Sequence, residues 1–171
     1  MIESLPPQVE ASQMGGDLPD AVADESLRAV EAKFGRPLPD AYRAFLVEIG
    51  PALFIEDGGA FKGSEPSDRS SDDMDEIEMF FGLGRGDNSV PSRADMFQDQ
   101  LPQGVLPIGD GPGGDVIGLN ASGGVVYWNH ETGRTFASAP DFETFLRSLG
   151  SSSVRSSRVD SIIDAESSLD F

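Results

Sequence analysis

Two groups of residues in this chain have types and spacings that bear on chemistry. The first is Gly109-Asp110-Gly111-Pro112-Gly113-Gly114-Asp115, with Trp128, His130 and Glu131 following after a hairpin-like stretch. Two carboxylates beside a bend can share a cation. An all-oxygen calcium site takes about six to eight ligands in a defined spacing, however, and that spacing is absent. Asp in a glycine turn ordinarily bonds its own backbone, so Asp110 and Asp115 are expected to shape the bend and hold no metal. His130 is the only histidine and there is no cysteine, which excludes a multi-histidine metal site, thiolate zinc and a thiol nucleophile. Neighbours on a strand point to opposite faces, so His130 and Glu131 are not expected to act together as an acid–base pair. Neither Gly82-Leu83-Gly84-Arg85-Gly86 nor Gly109-Asp110-Gly111 fits a phosphate-binding loop, and carboxylates beside the second oppose an anion. No catalytic residue and no cofactor is expected.

The second group is acidic. Residues 63–78, GSEPSDRSSDDMDEIE, hold seven carboxylates and one arginine. A stretch of that composition is expected to be a solvated, mobile loop. Within it Asp72, Asp73, Asp75, Glu76 and Glu78 form the best candidate for a partner surface. The whole chain is acidic too: 30 Asp and Glu against 12 Lys and Arg leave a net charge of −18 over 171 residues. Such a surface repels phosphate backbones and anionic lipid and attracts basic proteins. Direct nucleic-acid binding and membrane association are therefore not expected.

The elements that must position these residues follow from periodicity. Asp24 is expected to cap a helix carrying Leu27, Val30 and Phe34, stopped by Gly35. The turn Arg36-Pro37-Leu38-Pro39 leads to a second helix with Tyr42, Phe45, Leu46 and Ile49 on one stripe. Short strands are expected at 52–55 and 60–61, another through Ile77, Met79 and Phe81, and a helix over 89–100. Residues 105–108 enter the glycine bend, which is too rich in glycine to be strand or helix. A hairpin follows, its arms 116–119 and 125–128 joined by Asn120-Ala121-Ser122-Gly123-Gly124. Trp128 is expected to pack in the core. A last strand at 134–137 and a helix with Phe142, Phe145, Leu146 and Leu149 complete the domain. Residues 1–20 read as a poorly ordered lead, 21–150 as one domain, and the serine-rich 151–171 as a tail. The start has no basic or apolar leader segment, so a cytoplasmic protein is expected; the oligomeric state is left open by the sequence, with a monomer favoured.

Four pieces of this order resemble the SUKH superfamily in its Smi/Knr-type branch. Gly35, Leu38, Pro39 and Tyr42, with Phe45-Leu46 and Gly50, resemble the opening motif of the family. Leu106-Pro107-Ile108-Gly109-Asp110 with Gly114-Asp115 resembles its central bend. Val126-Tyr127-Trp128-Asn129-His130-Glu131 resembles its V-Y-x-W-D-H-E strand, and Phe142-Glu143-Thr144-Phe145-Leu146 its closing F-x-x-F-L. The resemblance covers residues 24–150. Asn129 stands where Asp is usual, and the acidic 63–78 has no counterpart in the pattern. The resemblance implies an α+β fold, a single domain with a curved, mixed and mainly antiparallel sheet and helices packed on it. It also implies a non-enzymatic binding protein. That would be a bacterial immunity protein that blocks a basic toxin domain acting on nucleic acid or, alternatively, a regulatory module of the cell-wall assembly type.

Overall fold

The computed structural model describes residues 3–150; the serine-rich tail lies outside them. The described chain folds as four helices and an open sheet of seven strands, with a two-stranded sheet beside it. Helix α1 is Asp20–Phe34 and α2 is Asp40–Ile49. Gly35 ends α1 in the left-handed conformation (φ 78°), and Pro39 stands immediately before α2. Helix α1 begins one turn earlier than expected, after Pro19. Asp24 is thus an ordinary residue of the second turn, and Asp20 takes the first-turn position where the helix dipole favours an acid.

The large sheet runs β1 (Glu10–Gln13), β2 (Ala52–Asp57), β5 (Met79–Phe81), β6 (Leu106–Asp110), β7 (Val116–Leu119), β8 (Val125–Trp128) and β9 (Thr135–Ala139), in that spatial order. All its ladders are antiparallel, and the parallel pairing described is one isolated bridge, Gly82 to Ser89. The order therefore follows the sequence, with β3 (Ala60–Phe61) and β4 (Asp75–Glu76) diverted into the small sheet.

Alternation along the strands assigns the helices to faces. Phe80 meets Phe45 of α2 edge-on at 4.8 Å and also Phe142 of α4 (Phe142–Ser148). Its neighbour Phe81 points the other way and lies under Arg93 of α3 (Val90–Met96), 4.7 Å from the guanidinium carbon. Trp128 likewise packs against Phe97 just beyond α3. Helices α2 and α4 thus cover one face, and α3 lies on the other. The main core is aromatic, with Tyr42 against Phe142 and Phe61 against Phe145, each edge-on at 4.9 Å.

Three expectations are corrected. Residues 10–13, within the lead read as poorly ordered, form β1 and pair with Asp57, Ile55, Phe54 and Leu53 of β2. The glycine bend is shorter than expected: Gly109 and Asp110 belong to β6, and only residues 112–114 turn, as one 3-10 helix. The strand needs glycine at 109, because a Cβ there would meet the Met79 carbonyl at 2.6 Å and Ile77 at 2.8 Å. The acidic stretch is also not a free loop. It contains β4, buries Ser67, Met74, Asp75 and Ile77, and its start pairs with the outer edge of β9 through Ser64 and Glu65. Composition hid this because the anchors are polar bonds to residues far away in sequence.

Candidate functional site

The 3-10 turn delivers Asp115 to the start of β7, where its carboxylate is wholly buried. Oδ2 accepts from the Tyr127 hydroxyl and from Arg69 Nε, each at 2.6 Å. Oδ1 accepts from the His130 backbone N–H at 3.1 Å and faces His130 Nδ1 at 2.7 Å. Burial alone would raise the Asp115 carboxyl. The bonds from Tyr127, His130 and Arg69 outweigh it and hold the group below the usual carboxylate range. An ionised Asp115 in turn fixes the hydrogen of His130 on Nδ1. The Tyr127 phenol is pushed up by burial and by its bond to Asp115.

This geometry revises the reading of the glycine motif. Asp115 makes no turn of its own; it gathers groups from three parts of the chain. Strand β8 ends at Trp128, so strand alternation does not govern His130 and Glu131. Both reach the same cluster, since Glu131 pairs with Arg69 Nη2 at 3.1 Å. An Asp–His pair is the orienting half of a proton relay, but no hydroxyl or other partner meets His130 Nε2 among the described residues. The arrangement acts as a clamp. Asp110 stands apart from it, at the end of β6 and 3.7 Å from Arg93, with its carboxyl raised by burial against the lowering influence of that arginine.

Asn129 makes the second half of the clamp. Its Oδ1 accepts the backbone N–H groups of Glu131 (2.8 Å) and Thr132 (3.3 Å), which leaves its Nδ2 to donate to Asp68 Oδ1 at 2.7 Å. The two departures from the family pattern therefore touch each other. An Asp at 129 would set a carboxylate against the carboxylate of Asp68.

Beside the clamp lies a groove of about 580 Å³, where β2 leaves the large sheet toward β3. Its walls carry Glu56, Asp57, Asp75, Glu76 and Glu78, and Arg69 is the one cation among them, already bound to Asp115 and Glu131. Glu76 and Glu78 are exposed and make no ion pair or side-chain hydrogen bond among the described residues. Partial desolvation against the groove wall, with repulsion from Glu76 and Asp110, pushes the Glu78 carboxyl above its usual range.

The five acids singled out in the sequence are thus dispersed. Asp72 and Asp73 occupy the two central positions of a tight turn between Ser71 and Met74, both with positive φ (54° and 61°), and project into solvent. Asp75 is buried and accepts from the backbone N–H of Ser67 at 3.0 Å and from its hydroxyl. Although it borders the groove, its carboxylate is engaged by Ser67 and offers little surface to a partner. Glu76 and Glu78 line the groove. Among the motif residues, Leu38, Tyr42 and Trp128 are core, and Gly114 turns at φ 94° against the ring of His130. Sequence reasoning missed Arg69, Tyr127 and Phe54. The only signal for the first was its being the lone arginine in an acidic stretch.

No metal-holding group of three or more His, Asp or Glu residues, and no helix long and apolar enough to cross a membrane, occurs among the described residues. Comparison with known proteins agrees with the motifs. The chain is 30% identical over 149 residues to the SPbeta prophage-derived uncharacterized protein YokK of Bacillus subtilis (strain 168), covering 78% of each chain. A model of the SMI1 / KNR4 family (SUKH-1) matches residues 21–148, a span that takes in both helix-face aromatics and the entire Asp115 clamp. On these matches the chain belongs to the SMI1 / KNR4 family (SUKH-1).

Proposed function

We propose that this chain is a non-enzymatic immunity protein of the cytoplasm that binds a cognate toxin domain and blocks it. The observation that carries the reading is the acid-lined groove in a molecule of net charge −18. A toxin acting on nucleic acid presents a basic substrate cleft, and an acidic protein that seats on that cleft excludes the substrate. The family supplies a scaffold for protein binding, and the clamp supports the same reading by holding the acidic segment still, so that less conformational freedom is lost on association.

The test is rescue. A toxin-like domain identified by a search of the neighbouring genes is expressed with and without the chain, and the two proteins are mixed at several salt concentrations. Protection together with a salt-sensitive complex is the expected result. Neutralising Asp72, Asp73, Glu76 and Glu78 together should slow association about tenfold or more at low salt and flatten its salt dependence, read by stopped flow. Asp75 is left out because it is buried. Absence of both rescue and complex would transfer the chain to the regulatory-module reading.

A further inference from the structure

Phe54 is anomalous in its setting. It is 44% exposed in a strand whose neighbours Leu53 and Ile55 are buried, and it faces out beside Glu56 by alternation along β2. It lines the same groove as Glu76 and Glu78. Across the sheet its register partners are Ser12 on one side and the partly buried Met79 on the other, so one edge of the aromatic face is supported by apolar surface. Charge selects the occupant. A second copy of this chain, also at −18, would bring like charge to a rim of carboxylates.

We propose that this face takes an arginine side chain of the partner, its guanidinium stacked on Phe54 and bonded to the carboxylates of Glu76 and Glu78. The identity of the partner rests on the toxin-binding reading; the choice of arginine over lysine does not. A planar guanidinium satisfies an aromatic plane and flanking carboxylates together, whereas an ammonium is a compact, strongly hydrated point charge. The raised Glu78 carboxyl fits the same picture, because a cation placed there offsets both the partial desolvation and the repulsion from Glu76 and Asp110 that raise it.

The probes are two short glycine–serine peptides, identical except that one carries arginine where the other carries lysine. Each is titrated to millimolar concentration into the isotope-labelled full chain and followed by NMR. The expected result is movement of the Phe54, Glu56, Glu78 and Met79 amides, with the arginine peptide binding about two- to five-fold more tightly, the range of an exposed cation–π contact. Phe54→Leu should erase that ratio while leaving the salt-dependent attraction, and Glu78→Gln should weaken both peptides. Equal binding of the two peptides, shifts elsewhere on the molecule, or no binding would each overturn the proposal. A dimer seen by light scattering and dissolved by Phe54→Leu would assign the face to a second copy and overturn it as well. If Phe54→Leu with Glu78→Gln still protects cells as the wild type does, the immunity reading stands and this face is outside the interface. If the wild type fails to protect while the arginine preference holds, the immunity reading falls and the face remains an arginine site.

Discussion

Asp115 touches three side chains drawn from the acidic segment, β8 and the turn after it, and is itself shielded from solvent. Asp115→Asn removes the charge but not the shape, leaving Arg69 with Glu131 alone. The penalty for deleting one partner of a buried pair comes from the charge left uncompensated, and Arg69 keeps a third of its side-chain surface in water and its contact with Glu131, so the loss should fall below the roughly 3–5 kcal/mol of a fully buried pair. The expected outcome is a lower urea midpoint at unchanged m-value. The acid limb of stability carries the same signature. The folded carboxyl lies below its unfolded value, so its stabilisation is complete above the ordinary carboxylate range and is lost as pH falls through it toward the folded value. Stability curves of wild type and Asp115→Asn should therefore converge on acidification, and parallel curves would show that the pair does not carry the acid sensitivity.

At the scale of elements, the segment 64–76 is held at several points: on the β9 edge by Ser64 and Glu65, on Asp115 by Arg69, on Asn129 by Asp68, and on β3 by β4. Asn129→Asp turns one of these links into a repulsion. Hydrogen exchange of segment amides should accelerate about tenfold or more, equivalent to roughly 1.4 kcal/mol or more of local opening, while α2 and α4 keep their protection. Equal acceleration everywhere would mean that the substitution weakens the whole domain. The same contrast explains what could be read from the chain alone. Helix α2 was legible because Tyr42, Phe45, Leu46 and Ile49 mark one stripe, and the hairpin arms because their residue types and glycine turn agree. The clamp was not, since Arg69 and Asp115 are 46 residues apart and neither neighbourhood hints at the other. Asp75 was misread for the same reason: composition reports the average of a segment, and burial is decided residue by residue. Phe54 sat in an expected strand, and the sequence does not say which face of β2 stays uncovered.

The molecule as a whole carries an excess of negative charge that folding concentrates. Among the described residues the ion pairs are few and mostly at the surface, where each is worth little. Self-repulsion should therefore be visible as stabilisation by added salt. Raising ionic strength from about 10 mM to 150 mM shortens the screening length from about 30 Å to 8 Å, and the thermal midpoint should rise by about 2–4 °C, the shift equivalent to about 1 kcal/mol for a chain of this size. A midpoint that falls would mean that the paired charges outweigh the unpaired ones. The complex should respond in the opposite sense, because salt screens the attraction between partners.

The contact between Asp68 and Asn129 also makes the two positions one unit of substitution. With an Asp at 129, an acid at 68 sets two carboxylates face to face. An amide at 129 is harmless without that acid, since its nitrogen can turn to water. The amide can therefore outlive the acid, but the acid cannot keep its contact without the amide. Asp68→Asn should accordingly make Asn129→Asp tolerable, whereas Asn129→Asp alone should not be.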